Sequence, residues 1–382
     1  MGIKNFLLIL SFFPFTPAFS QTYPTFGSEI PVTVIGLTAD AMEPFISADG
    51  NYIFYNSLND GITTSLYYAT KVNDSLFTFT GALPGANQTV SPRMDAVASS
   101  DSANNFYWMS LRNFPTQFDN YFHGSFNGTD IVNIGRVHGT FYIYTLGWLI
   151  MDAAINYDGS TLYYCNAFFN SDYSGCSGVP CKSRIGIAQR QNDSTFNKLI
   201  NSDGILQNVN DTNYLVYAPF ITKDGLELYF TRAVVSPPHT EICVSVRTNI
   251  ADSFSLPTII YTSAFVPEAP TLTTDKTKMY YHQKTGGTYT LFLRRRSSGT
   301  GIPVEQEFIN SAIFPNPATH IITVNLPYPS QKYSIEIYSI FGERLSKTSE
   351  KTELEISNLS CGMYILKIQQ ENKTFTTKIV KN

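Results

Sequence analysis

The sequence is short of the groups that announce chemistry. Its 382 residues contain no His-Glu-x-x-His pair, no Gly-x-Ser-x-Gly elbow, no phosphate-binding glycine loop and no EF-hand loop. Those absences remove the zinc proteases, the α/β-hydrolases, the P-loop nucleotide enzymes and the EF-hand proteins. The five histidines (His123, His138, His239, His282 and His320) are scattered and unpaired in sequence. Basic residues do not gather either. The one run is Arg294–Arg296, which reads as a solvated strand end, so no nucleic-acid partner is expected. The apolar run 6–13 is broken off by Pro14 and Pro17. It falls short of the ~20 residues a membrane helix needs, and no transmembrane segment is expected.

What is present is a repeat. EPFISADGNYIFYNS (43–57), DAVASSDSANNFYWMS (95–110), DAAINYDGSTLYYCNA (152–167), APFITKDGLELYFTR (218–232) and APTLTTDKTKMYYHQK (269–284) share one plan. Each carries an Asp six residues after its first (Asp49, Asp101, Asp158, Asp224, Asp275), followed by a Tyr/Phe-rich strand. Self-similarity at a period of roughly 50 residues marks a repeat array. Asp-Gly makes a tight hairpin turn, because Asp bonds the backbone two residues on and Gly tolerates positive φ. Aromatic and β-branched residues then suit a pleated surface. Third strands at 65–69, 184–188, 241–246 and 288–293, and weaker fourth ones at 75–79 and 253–257, complete four strands per unit. No stretch of ten residues in this region has helical periodicity, which excludes a helical solenoid. Four antiparallel strands repeated radially is a β-propeller, and the fold class is all-β. Five blades is the expectation, with six as the alternative should 140–144 belong to a further blade. The strand at 31–36 is expected to close the ring as the outer strand of the last blade.

These units resemble the TolB-like propeller repeat over roughly residues 30–300, although the proline that precedes Asp in that family's turn is missing throughout. The C-terminal part resembles the type A sorting domain of the Bacteroidetes type IX secretion system, over 312–382. Its markers are Pro315, Asn316 and Pro317 at the opening, the turn at Gly342, Gly362 and Tyr364 in the LSCGMY segment, and the basic end with Lys378 and Lys381. An ordinary immunoglobulin-like sandwich also fits alternating strands. Lys4, the apolar run and small residues at Ala18 and Ser20 read as a secretory signal peptide. The expected organisation is therefore signal peptide 1–20, propeller 21–296, linker 297–311 and sorting domain 312–382. The resemblance implies handling by the type IX secretion machinery. The product would be extracellular or attached to the outer surface of the outer membrane. Charge divides along the same boundary. The tail from Ser311 holds eight Lys/Arg and six Glu of the chain's 26 and 30 charged residues of each sign, so the propeller is mildly acidic.

Five cysteines are an odd number for an exported chain. Cys176 and Cys181 share a Gly/Ser-rich loop and are the disulfide candidate, with no His nearby to make a metal knuckle. The candidate chemical residues are Glu43, Asp95 and Asp152, each preceded by Met and each at the entry to an inner strand. Repeats four and five have Ala218 and Ala269 there, with Tyr217 and Glu268 one residue earlier. Acids converging on a propeller mouth have three readings. They cap strands and bond the neighbouring blade, they hold calcium through carboxylate oxygens, or they act as a general acid/base pair about 5–9.5 Å apart. Strand capping is the plainest, no cofactor is called for, and the turn aspartates are turn formers. The leading expectation is a binding or scaffold protein for a glycan, peptide or envelope protein. The aromatic residues Tyr107, Trp108, Phe114, Phe118, Tyr121, Phe122 and Trp148 are candidates for a sugar-stacking face. The rival is an extracellular polysaccharide hydrolase or lyase using the three acids.

Overall fold

A computed structural model describes residues 23–176, 179–235, 238–297, 313–324, 332–339, 342–349, 351–370 and 373–382. The expected signal peptide and all but the first residue of the expected linker lie outside them. Five sheets follow one another along residues 26–296. The first is built on Met42–Ile46, Tyr52–Asn56, Leu66–Asn73 and Leu76–Ala82. The second uses Arg93–Ser100, Asn105–Ser110, Tyr121–Phe126 and Ile131–Arg136, and the third Trp148–Ile155, Thr161–Phe168, Lys182–Asn192 and Thr195–Lys198. The fourth holds Leu215–Ile221, Glu227–Val235, Pro238–Val246 and Thr258–Ser263. The fifth joins Glu268–Leu272, Lys278–Thr285 and Thr288–Arg296 to Phe26–Pro31 from the beginning of the domain. The inner strand of each sheet touches the inner strands of the sheets before and after it, and the fifth touches the first. The sheets therefore close in a ring, the architecture of a β-propeller.

Ring closure differs from expectation in its residues. Phe26–Pro31 pairs antiparallel with Thr288–Arg296, whereas Thr33–Ile35 runs parallel to Leu76–Ala82 on the edge of the first sheet. The chain steps from one sheet to the next between Pro31 and Thr33. The segment at 140–144 forms no strand. Phe141 and Tyr142 are buried instead against Tyr164 and Phe196 of the third sheet.

The aromatic composition follows from burial on both faces of the inner strands. Tyr163 packs toward the fourth sheet with Val216 and Phe230, and its neighbour Tyr164 packs toward the second with Tyr107 and Tyr121. Phe54 and Tyr55 divide in the same way between two clusters. Such strands read as continuous aromatic runs because neither face meets water, and each fully buried ring contributes about 2–3 kcal/mol. The tail has its own core of Ile313, Ile322, Ile335, Ile337, Leu366, Ile368 and Ile379. It pairs a three-stranded sheet (Ile313–Phe314, Ile321–Val324, Glu353–Glu355) with a four-stranded one (Tyr333–Ser339, Arg344–Thr348, Gly362–Gln370, Lys373–Lys381).

Candidate functional site

The inner strands share one irregularity, and it sets the site. Four break their register at the same level, between Met42 and Phe45, Ala96 and Ser99, Tyr217 and Phe220, and Glu268 and Thr271, and the third breaks one pair earlier, between Ile150 and Asp152. A bulge re-aims side chains and breaks the ladder locally. At four of the five the bulged residue has positive φ: Glu43 51°, Val97 57°, Ala218 49° and Ala269 55°. The amide freed by each of these bulges is caught by a side chain of the preceding sheet. Val97 donates to Asn56 Oδ1 (3.2 Å), Ala218 to Asp152 Oδ2 (3.3 Å), Ala269 to Thr231 Oγ1 (2.9 Å) and Glu43 to His282 Nδ1 (3.0 Å). This polar seam ties each of these blades to its neighbour.

Glu43 and Asp152 therefore meet at the axis, as their place in the repeat predicts, but Asp95 does not. In the second repeat Asp101 fills the role that Ser47 plays in the first. It closes the turn with its own amide to Asn105, and its carboxylate accepts from the amides of Ala103 and Asn105. Counting back from it puts Val97, not Asp95, opposite Glu43. Asp95 lies fully buried away from the axis, paired with Arg112 Nη2 at 3.0 Å and accepting from the Gln88 amide at 2.7 Å. The third acid is Glu268. Its Oε1 accepts from the Tyr217 hydroxyl at 2.5 Å and its Oε2 sits 3.3 Å from His282 Nε2. Since His282 Nδ1 accepts from Glu43, the ring carries its proton on Nε2, facing Glu268. Glu268 had a sequence signal, its place one residue before Ala269, but only the bulge shows that this position also turns inward.

Electrostatics here is dominated by burial. Burial, then the charges of Asp152 and Glu268, hold the Glu43 carboxyl well above its ordinary value, against hydrogen bonds from Asn59 and Asn56. Burial pushes Asp152 up to about 7; the Ala218 amide opposes this and Glu268 adds to it. Glu43 Oε1 accepts from Asn59 Nδ2 at 3.1 Å, while Oε2 is buried with no partner among the described residues. The axial space these groups line has a volume of about 30 Å³. One water needs about 10–15 Å³ on this measure, so two fit and a sugar ring does not. Phe45 and Phe220, from the first and fourth sheets, approach to 6.3 Å beside it. Among the described residues no group of three or more His, Cys, Asp or Glu is placed to hold a metal ion.

The aromatic candidates separate into two sets. Tyr107, Trp108, Tyr121 and Phe122 are core. Phe114 and Phe118 belong instead to a row of rings over the loops of the second and third sheets. Tyr173 meets Phe114 (5.1 Å), Phe114 meets Phe118 (6.0 Å) and Phe118 meets Tyr144 (6.0 Å). Tyr144 is 59% exposed and its hydroxyl donates to Asp119 Oδ1 at 2.9 Å, which fixes the ring's orientation. Trp148 stands nearby in sequence but packs on Phe168. Because inner strands run away from the bulges and the next strands return, these loops lie on the face where Glu43 and Asp152 enter. Cys176 and Cys181 are joined by a disulfide in the loop that carries Tyr173, Cys165 and Cys243 are buried thiols, and Cys361 is exposed.

In the tail, Asn316 is a clasp. Its Nδ2 donates to the Lys378 carbonyl (2.9 Å) and its Oδ1 accepts from the Val380 amide (2.8 Å). Pro315 and Pro317 flank it, Gly342 turns at φ 86°, and Tyr364, on the strand opened by Gly362, donates to the Ser360 carbonyl at 2.8 Å. Lys378 and Lys381 lie on the last strand.

Residues 312–382 match the family model of the secretion system C-terminal sorting domain. Among curated protein sequences, none matches the chain. Among solved structures it is similar to a family 117 glycoside hydrolase of Zobellia galactanivorans, at 10% identity and TM-score 0.47, covering 74% of this chain and 93% of that one. It is also similar to TolB of Acinetobacter baumannii (10%, TM-score 0.36, 68% and 55%). A third is the catalytic domain of a Coprinopsis cinerea α-L-arabinofuranosidase (12%, TM-score 0.42, 73% and 98%). The tail marks the chain for export by type IX secretion to the cell surface or the extracellular space. No helix among the described residues is long and apolar enough to cross a membrane.

Proposed function

We propose that the exported propeller is a binding module whose ligand, a glycan chain, lies across the loop face of the second and third sheets. The observation that carries this reading is the row Tyr173, Phe114, Phe118 and Tyr144, contributed by three separate loops. Rings held at a surface by a hydrogen-bonded partner, as the half-buried Asp119 holds Tyr144, bind without paying to order themselves. The signal peptide at 1–20 would bring the chain across the inner membrane before the tail is read. Affinity electrophoresis of the mature chain through gels containing soluble polysaccharides tests the reading. Retardation by at least one polymer is expected, and it should be lost in the double variant Phe118→Ala, Tyr144→Ala. Unchanged retardation in that variant would remove the row from the site.

A second reading, hydrolysis at the axis, is favoured by one observation. A carboxyl held near 7 beside further acids is what a general acid requires. Against it stands the volume at the axis, which admits water but no sugar ring. Asp152→Asn, which keeps the acceptor for the Ala218 amide, separates the readings. It abolishes turnover if the acids are catalytic and leaves glycan binding intact if they are structural.

A further inference from the structure

A separate cavity lies on the face of the third sheet that looks toward the second. Its volume is about 160 Å³, more than ten times what one water needs. Its floor is built by strand pairing. Tyr164 and Asn166 stand directly opposite Gly186 and Arg184, so all four project from one side of the sheet. The Tyr164 phenol lies across Gly186, where an added Cβ would come within 2.3 Å of the ring, so only glycine leaves it there. Phe141 stands 5.1 Å from Tyr164 and 4.1 Å from Tyr142, which makes one aromatic wall.

Two polar groups of this cavity, Asn166 Oδ1 and Arg184, are unspent. Asn166 is 4% exposed, and its Nδ2 donates to the Phe141 carbonyl at 3.0 Å. Its Oδ1 is buried with no partner among the described residues, a cost unless something supplies a donor. At the rim, Lys198 and Asp203 neutralise one another at 2.9 Å. Arg184 has no acidic partner among the described residues and lines the same cavity.

We propose that this cavity binds a hydroxylated carboxylate the size of one sugar ring, a uronic acid. Its carboxylate pairs with the Arg184 guanidinium, which offers fixed paired donors to such a group. A ring hydroxyl donates to Asn166 Oδ1, and the apolar ring face lies on Phe141. An amino acid fits less well, because its ammonium would be desolvated beside Asn166 with Asp203 already committed to Lys198. The inference stands apart from the loop-face reading, since its probe is a monomer and its variants lie outside the ring row.

Thermal shift and calorimetry on the mature chain with D-glucuronate, D-glucose and L-alanine test it. Saturable binding of glucuronate is expected, with glucose and alanine at least tenfold weaker. Arg184→Gln, at an exposed position, should keep the parent melting temperature while losing tenfold or more in affinity. Absence of saturable glucuronate binding overturns the proposal, as does equal binding of glucose or alanine, or an Arg184→Gln chain that binds like its parent. If the methyl glycoside of glucuronate binds as well as free glucuronate, the ligand is a chain end; if only free glucuronate binds, it is the monomer.

Discussion

Asp152 faces a pocket with room for about two waters, and its carboxyl is raised to about 7 by burial and by Glu268. A carboxyl whose folded pKa lies above its unfolded value near 3.8 favours the folded state when protonated. Its contribution is fully present below that unfolded value and is lost as pH rises through about 7. Asp152→Asn keeps the acceptor for Ala218 and removes the titration. The variant should therefore match the parent in melting temperature near pH 4 and exceed it increasingly toward pH 8; a constant difference across that range contradicts the assignment. Asp95 gives the opposite result. Fully buried and paired with Arg112, it should cost about 3–5 kcal/mol on replacement by Asn, read from urea unfolding, because Arg112 is left without its partner. The two acids look alike in sequence, each following a methionine and preceding an Asp by six residues. Their environments part because the turn of the second repeat begins on its Asp, a shift of two residues that only the hydrogen bonds of Asp101 reveal.

Inner strands carry most of what was legible. Aromatic runs, Asp-Gly turns and a fifty-residue spacing are enough to place five inner strands and the hairpins after them, because burial on both faces forces that composition. Bulges have no such signature. Ala218 and Ala269 are small, Glu43 is charged and Val97 is β-branched, yet all four hold positive φ. What they have in common is a partner on the preceding sheet, a contact between residues about 40 to 240 positions apart that no local pattern encodes. Thr231→Val tests the seam at one joint. The shape is kept, Thr231 is fully buried, and the Ala269 amide loses its acceptor. A loss of about 1–3 kcal/mol of unfolding free energy is expected, and a loss under ~0.3 kcal/mol would show that the seam does not bind blade to blade. The closing strand is not legible in the sequence for a similar reason. Both Phe26–Pro31 and Thr33–Ile35 have strand composition, and only their partners distinguish them.

Across the whole molecule, ring and tail are separate solutions to burial with separate cores, and they carry separate instructions. The tail directs export, so a chain ending at Ser311 should accumulate inside the outer membrane of a host with an active type IX system, whereas the full chain reaches the medium or the cell surface. Fractionation and immunoblotting read the difference, and export of the shortened chain would show that the tail is dispensable. On the proposed reading the ring supplies the ligand face. Its axial acids are enclosed, while its row of half-buried rings reaches the surface at Tyr144. The measurement that tests this most directly is affinity electrophoresis and a reducing-end assay on the same mixtures of mature chain and polysaccharide. Retardation that disappears in Phe118→Ala, Tyr144→Ala, with no new reducing ends at any pH from 4 to 8, is the predicted result. New reducing ends that vanish in Asp152→Asn would contradict it and make the axis an active site.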